Sequence, residues 1–177
     1  LAGVYDKGSG ALVVADTHVR LADGGELLGT ARAGMFIRGQ GGFGGPKAPP
    51  DPWRQPDRAP DATVIHRTSR GQSLIYRLSG DRNPHCTDPA RARADGFARP
   101  IFQGLGTLGF ACRALIEALC DGNAARFRSM SARFATPMFP GETLTTLIWR
   151  TDESAIFRTL TADGRPVLER GTFGRAA

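Results

Sequence analysis

Between residues 4 and 38 the apolar positions come in short β-rich runs. GALVVADTHVRL (10–21) is rich in branched residues, ADGG (22–25) has turn composition, and ELLGTARAGMFIR (26–38) reads as the partner strand. The pattern then stops. GQGGFGGPKAPPDPWRQPDRAP (39–60) passes from glycine to proline with little apolar patterning, which predicts a long irregular connection and a domain boundary. Beyond it, residues 63–68 read as a short strand. SLIYRLSG (73–80) reads as a short amphipathic helix, with Leu74, Ile75 and Leu78 on one side and Gly80 as its stop. Asp88 is placed as an N-cap with Pro89 at the first helical position, and Gly96 ends that helix.

GLGTLGFACRALIEALCDG (104–122) carries the longest helical period. Leu105, Leu108, Ala111, Cys112, Leu115 and Leu119 form one stripe, Ile116 widens it, and Gly122 sits where a C-cap belongs. Gly106 and Gly109 each weaken helix propensity by about 1 kcal/mol against alanine, and helical glycines often mark close packing. The remainder returns to strands at 125–138, 142–152, 154–163 and 165–176, with PMFPGE and ADGR as turns. A strand, short helices, one long helix and an antiparallel meander make the class α+β.

At 41% hydrophobic, the chain can bury a proper core. No apolar run approaches the roughly 20 residues that span a bilayer, so no membrane partner is expected. No signal peptide is visible, and a start at Leu1 suggests truncation or processing. Cys86, Cys112 and Cys120 form no C-x-x-C, and His18, His66 and His85 lie far apart, so no metal site is expected. Cys112 and Cys120 fall in the apolar helix, where burial is their expected role. Reduced thiols point to the cytoplasm. The net charge of +6 comes almost wholly from arginine. The arginines are scattered among acids, which argues against nucleic acid and suits a phosphorylated ligand.

Two clusters remain as candidate chemistry. Gly39, Gly41 and Gly44 fit G-x-G-x-x-G by spacing, but PKAPPDP follows and cannot open the helix that a dinucleotide site needs. Close backbone packing is the better account, with Lys7, Arg38 and Lys47 as possible phosphate contacts nearby. Asp81, Asn83 and His85 in GDRNPHCTDP are either a polar turn or part of an acid/base site.

YRLSGDRNPHCTDPARARADGFARPIFQGLGTLGF (76–110) resembles the hydratase 2 signature of the MaoC-like, R-specific enoyl-CoA hydratases. That resemblance implies the hot-dog fold, an antiparallel sheet wrapped around a long helix. ARFATPMFPGETL looks like the strand, turn and strand that follow the helix, and residues 5–45 look like the closing strands of the N-terminal half in two-hot-dog hydratases. The implied organisation is a partial N-terminal hot dog at 1–45, a Gly/Pro-rich linker at 46–60 and a complete C-terminal hot dog at 61–177. The first half lacks an opening strand and a helix of its own. Either the chain is a fragment, or this half completes its sheet against a second copy or a partner hot-dog chain.

The implied reaction is reversible hydration of a trans-2-enoyl-CoA to a (3R)-3-hydroxyacyl-CoA. It uses no metal or redox cofactor, and coenzyme A is the substrate's carrier. The family pattern maps the catalytic set onto Asp81, Asn83 and Cys86, with His85 a replacement for the histidine if the loop shifts by one residue, and the oxyanion donor onto the Gly104 amide. Gly41, Phe43, Gly44, Lys47 and Gln103 map to substrate contacts. Two departures matter. Cys86 occupies the family's histidine position while His85 takes that of a leucine, and Gln103 stands where the family often has histidine. The implied alternatives are a hydratase weakened by Cys86 and a non-catalytic hot-dog subunit that binds acyl-CoA or a partner protein.

Overall fold

The computed structural model describes residues 1–152 and 154–176. They divide into two compact units, Leu1–Pro52 and Trp53 onward. The first unit is one antiparallel sheet in the order β1 (Gly3–Asp6), β2 (Gly10–Arg20), β3 (Leu27–Arg38). Gly8 and Gly24, both at positive φ, form the two connecting turns. Asp16 and Arg32 lie directly opposite on β2 and β3 and form a bidentate pair at 2.6 and 2.7 Å. β2 buries Gly10 and Ala11 at its start, whereas β3 is exposed along its whole length. The unit contains no helix.

The second unit starts with β4 (Ala62–Arg67), α1 (Gln72–Arg77) and a 3-10 turn (Pro84–Cys86). α2 (Pro89–Ala94), α3 (Gly104–Leu119) and a second 3-10 turn (Ala124–Arg126) follow. The chain then forms β5 (Phe127–Phe134), β6 (Thr143–Arg150), β7 (Ser154–Thr161) and β8 (Pro166–Arg175). The strands make one antiparallel sheet, β4-β6-β7-β8-β5, and α3 packs against four of them. A sheet folded about one long helix is the hot dog. Ala111, Leu115 and Leu119 of α3 meet Ile148, Phe157, Leu168 and Phe173 from the sheet in the main core. Phe102, Met138, Leu144 and Val167 form a second cluster beside it.

Several local expectations change. The polar side of α1 packs inward: Ser73 is buried, its hydroxyl donates to Ile101 O at 3.0 Å, and Leu74, Ile75 and Leu78 face outward. The backbone carbonyl at 101 offers a partner that an apolar face could not use. In α3, a Cβ on Gly106 would come within 2.4 Å of the Phe102 ring, so this glycine does mark close packing, whereas Gly109 borders open space. Cys120 is buried and Cys112 is half-buried. The C-terminal end of α3 is held by cations from the sheet: Arg150 donates to Ala118 O at 3.0 Å and Arg175 to Leu119 O at 3.1 Å.

β8 contains a bulge. Leu168 and Gly171 face the core and so does Phe173, which leaves both Glu169 and Arg170 on the outer face. The pairing of β8 with β5 and with β7 slips at this point. Arg170 takes a positive φ of 54°, a conformation costing on the order of 1 kcal/mol for a residue with a side chain.

Candidate active site

The segment after α1 turns at Gly80, whose φ of 109° is open to glycine. The carboxylate of Asp81 then organises the turn. Its Oδ1 accepts from the Asn83 backbone N–H at 3.1 Å and from Asn83 Nδ2 at 2.8 Å. Both bonds use Oδ1. Pro84 opens the 3-10 turn, and Asp88 accepts from the Ala90 N–H at 2.8 Å to cap α2. The acid/base and polar-turn readings of this cluster are therefore compatible, because Asn83 holds Asp81 while the other carboxylate oxygen stays open.

The two residues at the centre of the turn diverge. Cys86 is 2% exposed, and burial first, then the Asp81 charge, push its thiol up to about 11. It is a neutral thiol at physiological pH and can serve there only as a weak donor or acceptor. His85 points the other way. Its Nδ1 lies 3.2 Å from Asp95 Oδ2, which also accepts from Arg91 Nε at 3.0 Å, and its ring meets the edge of Phe97. The Arg91 guanidinium, with His85 as a lesser contributor, holds the Asp95 carboxyl below its ordinary value. The structure thus groups Asp81, Asn83 and Cys86, and ties His85 to α2.

Backbone and side-chain bonds link this turn to the start of α3. Ile101 N–H donates to His85 O at 3.3 Å, Phe102 N–H to Met138 O at 2.7 Å, and Gln103 Nε2 to Ser73 O at 3.2 Å. Gln103 is 2% exposed, and its Oε1 is buried with no partner among the described residues. The Gly104 N–H opens α3 and has no acceptor among the described residues. A largely apolar cavity of about 240 Å³ adjoins it, bounded by Phe102, Gly104, Thr107, Phe134 and Met138.

Gly41, Phe43, Gly44 and Lys47 belong to the first unit, where sequence reasoning missed the residue that organises them. The Asp6 carboxylate accepts from the N–H groups of Gly8, Gly42 and Gly44 at 2.8, 2.9 and 2.9 Å. These bonds, led by that of Gly42, hold its carboxyl below the ordinary value. A Cβ on Gly41 would sit 2.2 Å from Gly8 O, which requires glycine there. Phe43 and Lys47 are exposed. The loop's amides face an internal carboxylate, the reverse of a phosphate cradle. An acid followed by K-G-S-G was the available signal, but its partners lie 36 and 38 residues away. No group of His, Cys, Asp or Glu among the described residues could hold a metal ion.

A family model described as "MaoC like domain" matches residues 52–169. The chain belongs to the MaoC-like domain family. This MaoC-like chain is 45% identical over 185 residues to the 3-hydroxyacyl-thioester dehydratase Y of Mycobacterium tuberculosis, covering 97% of the chain and 62% of that protein. It is 44% identical over 147 residues to the enoyl-CoA hydratase ChsH3 of the same organism, covering 83% of the chain and 51% of that protein. Among solved structures it resembles a MaoC-like dehydratase from Phytophthora capsici, with a TM-score of 0.90 and 36% identity. That match covers 98% of the MaoC-like chain and 59% of the other. The chain thus spans between half and two thirds of the length of these relatives.

Proposed function

We propose that this chain catalyses the reversible hydration of a trans-2-enoyl-CoA to a (3R)-3-hydroxyacyl-CoA, at a rate lowered by Cys86. The observation that carries the reading is Asp81. Asn83 holds its Oδ1 and leaves Oδ2 without a partner among the described residues. Oδ2 accepts a proton from water as the water oxygen attacks C3, and the same proton is delivered to C2. The thioester oxygen becomes enolate-like, and the open Gly104 N–H at the positive end of α3 stabilises it. A protonated, buried thiol at 86 cannot share this proton transfer as an imidazole would.

Coenzyme A enters as the carrier of the substrate, and the chemistry calls for no metal or redox group. Gln103, with its unpaired buried Oε1, is assigned a substrate-side or water contact. Of the residues expected as substrate contacts in the first unit, Phe43 and Lys47 keep exposed side chains and remain candidates, whereas Gly41 and Gly44 serve the loop's own packing. We place the chain in an oligomer or beside a partner hot-dog chain, because Leu28, Met35 and Phe36 on β3 stand uncovered. Sedimentation showing a monomer at every concentration would overturn that placement. Among the described residues, no helix is long and apolar enough to cross a membrane. The free thiols fit a cytoplasmic setting.

The test is turnover of crotonyl-CoA by the full chain. Wild-type turnover is expected to be low, Asp81→Asn to remove what remains, and His85→Ala to change little. Cys86→His is expected to raise the rate about 10²-fold, with His85→Leu added to restore an apolar neighbour. Strong wild-type turnover abolished by His85→Ala would overturn the assignment. A second reading, a non-catalytic subunit that binds acyl-CoA or a partner protein, is favoured by the neutral thiol at 86. It gains if acyl-CoA binds saturably and neither wild type nor Cys86→His turns it over.

A further inference from the structure

An N–H group stabilises a developing oxyanion best when it is aimed before the substrate arrives, and Gly104 has no side chain of its own to aim it. A trans peptide is planar, so the Gly104 N–H points opposite to the carbonyl of Gln103 in the same plane. That carbonyl is tied twice to the first turn of α3. It accepts from the Thr107 N–H at 3.0 Å and from the Thr107 hydroxyl at 3.3 Å. One end of the plane is held, and the other is presented at an exposed residue.

The residues leading up to that plane are held from α1. The Ser73 hydroxyl donates to Ile101 O at 3.0 Å, and the Ser73 carbonyl accepts from Gln103 Nε2 at 3.2 Å. One residue thus bridges to two alternate residues of the segment, once as donor and once as acceptor. The peptide joining Ile101 to Phe102 is fixed at both ends, because the Phe102 N–H donates to Met138 O at 2.7 Å. The Phe102 ring meets Tyr76 of α1 and Phe110 of α3 edge-on, each with centroids 6.0 Å apart. Ser73 is 2% exposed, whereas its neighbours Leu74, Ile75 and Leu78 stay outside. A buried hydroxyl is costly unless it is bonded. The inward position on α1 is therefore used for its hydrogen bonds and not for apolar contact.

We infer that Ser73 is a positioning residue for the hydration reaction: through Ile101 and Gln103 it holds the peptide plane that presents the Gly104 N–H to the thioester oxygen. The inference rests on the hydratase reading and adds to it a residue too deeply buried to touch the substrate.

The experiment reads the full chain in two ways. The first is steady-state turnover of crotonyl-CoA in the Cys86→His background. Ser73→Ala is expected to lower kcat about tenfold while KM changes by less than about twofold, and Ser73→Thr, which keeps the hydroxyl, to retain most of the rate. The second is isotope-edited infrared spectroscopy of crotonyl-CoA labelled at the thioester carbonyl carbon and bound to Asp81→Asn, which reads the hydrogen bond to the carbonyl without turnover. The carbonyl band is expected to fall in frequency on binding, and to return part-way to its free position when Ser73→Ala is added. Gln103→Leu cuts the second link and removes an unpaired buried oxygen, and is expected to move the band the same way. A merely structural role would lower the thermal midpoint and leave the band of the folded protein in place. A band unmoved by Ser73→Ala, or one that does not fall when crotonyl-CoA binds to Asp81→Asn, overturns the positioning role. Absence of turnover in both wild type and Cys86→His overturns the hydratase reading instead, and the band still decides whether Ser73 aims the amide.

Discussion

β3 and β7 are both antiparallel strands with apolar residues along them, yet their surroundings are opposite. β3 exposes all of its residues, whereas β7 buries Ala155, Phe157, Thr159 and Thr161 in strict alternation. The difference is the helix. Phe157 shares a core with Ala111 and Leu115 of α3, and the first unit has no helix to supply such a surface. A strand's sequence offers a face for burial, and another element decides whether that face is used.

Truncating one aromatic in each sheet tests this contrast with the largest effect. Phe157 is fully buried, so Phe157→Ala should cost about 3–5 kcal/mol in urea unfolding. Phe36 is 49% exposed, and Phe36→Ala should stay within about 0.5 kcal/mol at dilutions that keep the chain monomeric, and cost more where a partner covers β3. Equal losses would mean that β3 is covered in solution by something that buries it. Adding a methyl group makes a smaller, complementary pair. A Cβ on Gly171 would meet the Phe157 ring and carbonyl oxygen at 2.5 Å, so Gly171→Ala should lose about 1–3 kcal/mol. Gly29 in β3 has nothing within 4 Å of that position, and Gly29→Ala should be neutral or stabilising by about 0.5 kcal/mol in the same assay.

The smallest effect concerns the loop that closes the first unit. Asp6 is held below its ordinary value of 3.8 in the folded chain. Near pH 4 the unfolded chain therefore binds more protons at this group, and stability rises with pH across that interval. The contribution is complete above the unfolded value and is lost as pH falls through the folded one. Protection of the Gly8, Gly42 and Gly44 amides, measured against their intrinsic exchange at each pH, should fall in that acidic window, and Asp6→Asn should lower it already at neutral pH. Identical exchange in wild type and variant would show that Asp6 does not organise the loop.

What was legible in the sequence was what repeats locally. The period of α3, the alternation of β6 and β7, the Asp88 cap and the turn chemistry each lie within a few residues of their cause. The family signature placed Asp81, Cys86 and Gly104 on one segment, and the structure ties that segment together through His85, Ile101 and Ser73. Three features were not legible. The bulge at Arg170 adds one residue to an alternation that reads smoothly without it. The inward packing of Ser73 depends on a carbonyl 28 residues away. The turning of His85 toward Asp95 requires knowing which of two adjacent side chains the core accepts, and the smaller Cys86 is the one it takes.

The arginine caps on α3 have a consequence for the order of events during synthesis. The helix is complete in the emerging chain at Leu119, but the groups that satisfy its last carbonyls arrive 32 residues later with Arg150 and 56 residues later with Arg175. Until β6 and then β8 have been made, the last turn has only water for its free carbonyls. α3 therefore leaves the ribosome as an unfinished helix with a fraying end, and the final strand is what locks it.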